Sequence, residues 1–146
     1  MRADSVRRGL NAVSRDCDII GIHDAARPLV SVDSIEEVFD AAFEFGSATL
    51  AVPVTDTLKI CEGDFIIGTQ PRENIWAVQT PQVFRKDILF EAVEKIDPQI
   101  SITDDCSIIE RLGGRIKIIR GSRTNIKITY PEDLFIASAI LKNKPV

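Results

Sequence analysis

A chain of 146 residues, 45% of them hydrophobic and 27% charged, has the size and composition of one globular domain that folds without a disulfide or metal. Its formal net charge of −4 argues against nucleic acid as a partner, because binding to a phosphate backbone needs a basic face. The three cysteines lack paired spacing, no apolar run reaches the roughly 20 residues of a membrane span, and no signal peptide is visible, so a reducing cytoplasm is expected.

The first half of the chain is predicted to alternate helix and strand. Residues 5–13 favour a short helix, and the apolar run CDIIGI at 17–22 favours a strand buried on both faces, as in a parallel sheet. A capping box at Ser34 and Glu37 and a stop at Gly46 bound a predicted helix. The strand ATLAVPV at 48–54 should end, or lie at an edge, because of Pro53. The side chains expected on the inner face of the helix are Ile35, Val38, Phe39, Ala42 and Phe45.

The second half begins with a segment, residues 54–78, that has short strands around Gly63 and Asp64 and no helical period; we call it the β-arm. Helices are predicted over 84–96 and 103–114, a strand over 115–121 and a final helix over 129–142. The final helix should have a capping box at Thr129 and Glu132, Pro131 in its first turn, and Lys142 and Lys144 near its end. The inward-facing residues of the 84–96 helix should be Phe84, Ile88, Leu89, Ala92 and Val93.

This alternation predicts a three-layer α/β/α domain with a mostly parallel, open, Rossmann-like sheet and a protruding β-hairpin arm. Ligands of such sheets bind beyond the carboxyl ends of the strands, which is where HDAARP, residues 23–28, follows CDIIGI. Asp24 there could hold a divalent cation together with substrate phosphates, and Arg27 could offer a planar fork to a phosphate. The alternative is that Asp24 and Arg27 pair across a turn while His23 fills a gap.

Two further polar positions have two interpretations each, and a third has one. Thr80, in QTPQVF at the end of a strand, is a ligand donor or a turn residue, and Thr103, in ITDD, is a ligand donor or the N-cap of a helix whose first turn holds Asp104 and Asp105. Capping is the favoured interpretation for ITDD. Lys127 alternates with apolar residues just before a capped helix and could contact a phosphate.

The β-arm carries polar and charged side chains that would by themselves form an exposed edge of the kind that discourages aggregation. These residues are Thr57, Lys59, Thr69 and Arg72. Together with the strand-end residues they indicate an anionic, phosphorylated small ligand without naming the reaction.

Seven ordered segments closely resemble the 2-C-methyl-D-erythritol 4-phosphate cytidylyltransferases of the non-mevalonate isoprenoid pathway. They are RADSVRRGL, HDAARPLV, AVPVTDTLK, TQPRENIW, QTPQVF, ITDDCSIIE and NIKITYPEDL, and they are spread over nearly the whole chain, from residue 2 to residue 134. The resemblance implies a nucleotide-diphospho-sugar transferase-like fold and transfer of CMP from CTP to methylerythritol phosphate with release of pyrophosphate. It also implies a homodimer in which the β-arm reaches across to the partner subunit.

The resemblance assigns roles to individual residues. Asp24 would hold Mg²⁺ and, with Lys127 near the reacting phosphates, take part in catalysis. Substrate contacts would come from Ala25, Arg27, Thr57, Arg72, Thr80 and Thr103, with Thr57 and Arg72 serving the partner's site, and Ser5 would contact the cytidine side.

The chain departs from the family pattern in two ways. It contains no Gly-rich loop with the Arg and Lys that cradle the CTP triphosphate, so residues 1–146 are expected to be the C-terminal portion of a single cytidylyltransferase domain, from a longer protein or a truncated gene, and inactive alone. Pro71 stands where the family usually has an acid before the arginine.

Two alternatives stay open at this stage. The ribitol-5-phosphate cytidylyltransferases share QTPQ and NIKIT, although HDAARP and DTLK favour the erythritol branch. The other alternative is a non-catalytic fragment that dimerises or binds a sugar phosphate.

Overall fold

Apolar runs of strand length alternate with amphipathic segments along the chain, and in the computed structural model these segments form strands and helices. It describes residues 9–10, 12–14, 16–95 and 103–143. The strands are β1 (Ile19–Ile22), β2 (Ser47–Pro53), β3 (Leu58–Glu62), β4 (Phe65–Gln70), β5 (Trp76–Arg85) and β6 (Lys117–Arg120). The helices are α1 (Val32–Phe45), α2 (Lys86–Lys95), α3 (Cys106–Arg111) and α4 (Pro131–Lys142).

The main sheet has the strand order β1-β5-β2-β6. β1, β2 and β6 run in one direction, as predicted, whereas β5 lies between β1 and β2 and runs the opposite way. The chain leaves β2 into the β-arm and returns directly alongside β2, with the Val54 N–H donating to the Ile75 carbonyl at 3.1 Å, so β2 and β5 run antiparallel. The expectation that the CDIIGI strand has parallel neighbours was therefore wrong for its pairing with β5.

Helices cover both faces of this sheet. Val83 and Phe84 are neighbours on β5 and so point to opposite faces. Val83 packs with Val38 and Ala42 of α1, while Phe84 packs with Leu89 of α2 and with buried residues of α3. The three-layer α/β/α architecture is confirmed.

The N-cap of helix α1 lies three residues before the predicted one. Its N-cap is Ser31, whose hydroxyl accepts the Ser34 N–H at 3.2 Å, so Ser34 is inside the helix. Gly46 ends α1 with φ of 88°, a conformation that glycine adopts without steric cost, as predicted. Phe45 does not face inward: it is half-exposed, and Lys117 lies over its ring at 4.7 Å from the centroid.

Strand β5 extends into the predicted start of a helix. Phe84 belongs to β5, and α2 begins only at Lys86, because the Arg85 and Lys86 N–H groups donate to Gly46 and Asp18 carbonyls at 2.8 Å each. Residue 96 of the predicted helix lies outside the described residues.

The cap of α4 also differs from the prediction. Asp133 accepts the N–H groups of Thr129 and Tyr130, both at 2.8 Å, so it takes the place expected for Glu132. Pro131 in the first turn and Lys142 in the last are confirmed, and Lys144 lies outside the described residues. Of the helix predicted over 5–13, residues 9, 10 and 12 are helical, and residues 5–8 and 11 are outside the described part.

The β-arm is confirmed as a hairpin. β3 and β4 pair only with each other, around Gly63 with its positive φ of 56°, in a separate two-stranded sheet. Phe65 is 78% exposed, and Ile60, Ile66 and Ile67 are also exposed. Among the helices that the structure describes, none is both long enough and apolar enough to cross a membrane.

Candidate active site

A cavity of about 250 Å³ opens beside the carboxyl end of β1, where the sheet topology predicts a ligand site. It collects residues from four separate parts of the chain: the turn after β1, the middle of β5, the segment before α3 and the loop before α4. The lining residues are Asp24, Arg27, Val78, Gln79, Thr80, Gln82, Thr103, Asp104 and Lys127.

The HDAARP turn is held by side chains as well as by its backbone. The Arg27 N–H donates to the Asp24 carbonyl at 2.9 Å, and the Thr80 hydroxyl accepts the Asp24 N–H at 3.0 Å. His23 Nε2 lies 3.0 Å from the Arg27 carbonyl and Nδ1 lies 2.9 Å from the Thr80 hydroxyl. Because a carbonyl only accepts, Nε2 donates there, and in the neutral ring Nδ1 then accepts from Thr80. His23 thus ties the turn to β5 rather than filling a gap.

Charges of both signs meet at Asp24. Its carboxylate lies 2.9 Å from Lys127 Nζ and 3.7 Å from Arg27 Nε, and Arg27 also donates to the Asn125 carbonyl at 2.8 Å. Burial lowers the pKa of Arg27, which the Asp24 carboxylate opposes, and an arginine lowered from such a high value stays charged at neutral pH. Asp24 and Arg27 therefore do pair across the turn, as the alternative interpretation held, and both residues line the cavity.

The ITDD segment is fixed by a buried glutamine of β5. Gln82 donates to the Asp104 carboxylate at 2.9 Å, and its side-chain oxygen accepts the N–H groups of Asp105 and Cys106. Asp104 also accepts the Ser107 N–H and so helps to cap α3, but Asp104 and Asp105 precede the helix and do not lie in its first turn as predicted. Thr103 is not the N-cap, because α3 begins at Cys106; it is exposed and lines the cavity.

Five of the nine predicted site residues line the cavity: Asp24, Arg27, Thr80, Thr103 and Lys127. Ala25 lies on the exposed turn next to Asp24. Thr57 and Arg72 are exposed on the β-arm and do not line it, and Arg72 donates to the Thr55 carbonyl at the base of the arm. Ser5 is outside the described residues.

Sequence reasoning missed Gln79, Gln82 and Asn125, which are all buried. A signal was present for the two glutamines, because they flank Thr80 and Pro81 and run directly into the apolar Val83 and Phe84, and buried amides need partners. Nothing in the sequence indicated which loops those partners would come from.

The side chains that line the cavity suit a magnesium ion better than a metal ion that is held by three or more protein ligands. Within the described ranges, no group of three or more His, Cys, Asp and Glu side chains could hold a metal. Asp24 offers one carboxylate to the cavity and Asp104 lies on its wall. Mg²⁺ commonly takes one or two carboxylates and completes its shell with water and substrate phosphates.

Two other features carry no comparable chemistry. A larger cavity of about 750 Å³ lies at the opposite end of β5, lined by Cys17, Phe43, Arg85 and Phe90 among others, and Arg85 there is paired with Asp87 at 2.6 Å. Cys106 lies near the active-site loop, but burial, together with the Asp104 charge, raises the pKa of its thiol far above neutral. Cys106 is therefore no thiolate nucleophile.

The family profile described as IspD, 2-C-methyl-D-erythritol 4-phosphate cytidylyltransferase, matches residues 1–143. The chain belongs to this family. It is 52% identical over 145 residues to the 2-C-methyl-D-erythritol 4-phosphate cytidylyltransferase of Alkaliphilus oremlandii, covering 98% of this chain and 61% of that protein. With the protein of the same description from Pelotomaculum thermopropionicum it shares 48% identity over 143 residues, 97% of this chain and 60% of that one. The chain thus spans about three-fifths of the length of these relatives.

Solved structures of the family have the same fold. The 2-C-methyl-D-erythritol 4-phosphate cytidylyltransferase of Thermus thermophilus superposes with a TM-score of 0.88 at 36% identity, over 97% of this chain and 70% of that one. The 4-diphosphocytidyl-2C-methyl-D-erythritol synthase of Anaerococcus prevotii also gives a TM-score of 0.88, at 29% identity over 98% of this chain and 65% of that one. The predicted family and fold class are confirmed.

Proposed function

We propose that the protein transfers CMP from CTP to 2-C-methyl-D-erythritol 4-phosphate and releases pyrophosphate, as a step of non-mevalonate isoprenoid biosynthesis. Family membership supports the reaction. The observation that supports this reaction for the present chain is one cavity lined by two carboxylates, two cations and two threonines: Asp24, Asp104, Arg27, Lys127, Thr80 and Thr103.

The reaction needs no nucleophile from the protein. A phosphate oxygen of the methylerythritol phosphate attacks the α-phosphorus of CTP, a new P–O bond forms, and the bond to the pyrophosphate oxygen breaks in line. Catalysis of such a transfer consists of positioning and charge neutralisation. Lys127 is suited to the charge that develops on the reacting phosphates, because its ammonium is held at the cavity by Asp24 and is still 46% exposed.

Arg27 is the half-buried cation of the site and is suited to the sugar phosphate that would lie along Ala25. Thr80 and Thr103 would line the same pocket, and Ser5 would contact the cytidine side. Asp24, with Asp104 nearby, would hold Mg²⁺. When bound, Mg²⁺ neutralises phosphate charge and makes the α-phosphorus more electrophilic.

We propose a homodimer in which the β-arm completes the partner's site. The cavity's own lining carries two carboxylates, Asp24 and Asp104, against two cations, Arg27 and Lys127, so it adds little net positive charge for a phosphorylated ligand. Arg72 of a partner subunit would add the missing cation, and Thr57 would accompany it. The exposed apolar residues Phe65, Ile66 and Ile67 on the β-arm suit burial against a second copy.

We infer a reducing, cytoplasmic setting, which the free Cys17, Cys61 and Cys106 support.

The test is pyrophosphate release by protein expressed from the complete coding sequence, with CTP, Mg²⁺ and either methylerythritol phosphate or ribitol 5-phosphate. We expect methylerythritol phosphate to give the higher kcat/KM, and Asp24→Asn to lower the rate about 10²- to 10³-fold. Faster turnover of ribitol 5-phosphate would move the protein to the ribitol branch. Absence of turnover with both would support a non-catalytic role in binding or dimerisation.

A further inference from the structure

Asn125 is a fully buried amide in the loop between β6 and α4. Its Nδ2 donates to the Gln79 side-chain oxygen at 3.2 Å and to the Thr80 carbonyl at 3.0 Å. Both acceptors belong to β5, which is the centre of the site. Asn125 therefore attaches the loop that carries Lys127 to the strand that carries Thr80.

Gln79 completes this contact from the strand side. Its Nε2 donates to the Ser122 carbonyl at 2.9 Å and to the Asn125 carbonyl at 3.4 Å, so the two residues bond each other in both directions; we call the side chains of Gln79 and Asn125 the amide clasp. A Cβ on Gly121 would lie 2.4 Å from the Gln79 side-chain oxygen. A side chain at position 121 would clash with Gln79, so glycine there leaves room for the amide clasp.

The amide clasp lies close in the chain to Lys127, the cation proposed to act on the reacting phosphates. The side chains of the clasp are themselves uncharged. Two residues after Asn125, Lys127 reaches Asp24 at 2.9 Å. The next N–H, of Ile128, donates to the Ala26 carbonyl at 2.8 Å, which joins the loop to the HDAARP turn. Because the Lys127 side chain is nearly half-exposed, packing alone does not fix its ammonium, and its location depends on where the backbone of the loop is held.

We propose that the amide clasp is a positioning device that sets the Lys127 ammonium against Asp24 and the reacting phosphates. The proposal rests on the proposed cytidylyl transfer, since it assigns the clasp an effect on that reaction. Gln79 and Asn125 act through Lys127 and are positioning residues. Loosening them displaces the cation, and a displacement of about 1 Å can cost on the order of 10² in rate.

A double-mutant cycle tests this in protein expressed from the complete coding sequence. We expect Asn125→Ala to lower kcat about 10- to 100-fold with a smaller change in KM. In the Lys127→Ala background, adding Asn125→Ala should lower kcat by less than about twofold, because the group it positions is already gone. If the two losses multiply instead, Asn125 does not act through Lys127 and the proposal is wrong.

Two variants separate positioning from loss of folding. Asn125→Asp keeps the shape of the side chain and removes both Nδ2 donors, so it should reproduce the kcat loss of Asn125→Ala. Leu89→Ala is the control: Leu89 is a fully buried residue of α2 on the Phe84 face of the sheet, and whatever its loss costs in activity should multiply with the loss from Lys127→Ala. A Leu89→Ala variant that showed the same non-additivity would contradict the proposal.

Amide hydrogen exchange gives a readout that does not require activity. Asn125→Ala should speed exchange at Ile128 at least tenfold relative to the Arg85 and Lys86 amides, which donate at the far end of the sheet. Equal acceleration at all three would show general destabilisation and overturn the proposal. If the wild-type protein transfers no CMP, the proposed function fails, while local acceleration at Ile128 would still show that the clasp holds this loop.

Discussion

At the scale of single residues, the uncharged Thr80 hydroxyl holds the HDAARP turn against β5. It accepts the Asp24 N–H and pairs with His23, and these two contacts fix both ends of the HD dipeptide against β5. Valine has nearly the shape of threonine but cannot replace a hydroxyl that lies between a donor and an imidazole. The role of the Thr80 hydroxyl can therefore be tested by comparing a variant that lacks the hydroxyl with one that lacks the methyl group.

We predict that Thr80→Val lowers the free energy of unfolding by about 1–2 kcal/mol, because the buried contacts of the hydroxyl are lost. It should also lower kcat at least tenfold by letting the Asp24 turn shift. Thr80→Ser keeps the hydroxyl and should retain most of the activity. Urea denaturation and pyrophosphate release measure the two effects, and a larger activity loss in Thr80→Ser than in Thr80→Val would show that the methyl group, not the hydroxyl, matters.

The residue types at this site could be predicted from the sequence, whereas their supports could not. Asp24, Arg27 and Lys127 stand at a strand end or before a capped helix, and the spacing of such residues is visible in the chain. The contact of Asn125 with Gln79 joins residues 46 positions apart, and no local pattern encodes it. Buried amides are satisfied through space, so their partners become known only with the topology.

At the scale of elements, hydrophobic period predicted which segments are helical, and tertiary contacts decided where the helices begin. The inner face of α1 agrees with the prediction at Val38 and Ala42, yet the helix begins before the predicted capping box. The sequence offers two serines with similar capping ability, Ser31 and Ser34. The structure selects Ser31, whose hydroxyl accepts the Ser34 N–H.

We predict that Ser31→Ala lowers the free energy of unfolding by about 1 kcal/mol, the usual cost of losing an N-cap. Ser34→Ala should change it by less than about 0.5 kcal/mol, because its N–H still donates to Ser31. Urea denaturation of both variants decides between them. A larger loss for Ser34→Ala would restore the capping box predicted from the sequence.

The N-terminus of α4 provides a prediction about pH. Hydrogen bonds from the Tyr130 and Thr129 N–H groups lower the pKa of Asp133. A carboxylate whose pKa is lowered on folding stabilises the fold when the pH is above its pKa in the unfolded state. That contribution is lost as the pH falls through its pKa in the folded state, here below about pH 4. Asp133→Asn should therefore lower the urea midpoint at pH 7, and the difference from wild type should shrink towards pH 3. Glu132→Gln, at the position predicted from sequence, is the matched control and should show a smaller difference at pH 7.

At the scale of the whole molecule, strand order explains why distant segments meet. β5 lies between β1 and β2, so its QTPQ residues face the turn after β1 on one side and the loop after β6 on the other. Gln82 reaches the segment before α3 from the same strand. One central strand thus fixes three loops, yet the β-arm residues Thr57 and Arg72 remain outside the cavity of their own chain.

That arrangement predicts that Arg72 acts in the partner's site, and complementation of two inactive variants tests it. Arg72→Ala and Asp24→Ala subunits, expressed from the complete coding sequence, are each expected to be inactive as homodimers. If Arg72 acts in trans, each mixed dimer has one intact site and one site with both lesions, so a fully exchanged equal mixture should recover about a quarter of the wild-type activity. Subunit exchange is verified by capture through a tag on one variant only. Mixed dimers that form and stay inactive would show that Arg72 serves its own chain, and an active Arg72→Ala homodimer would show that the reaction does not need it.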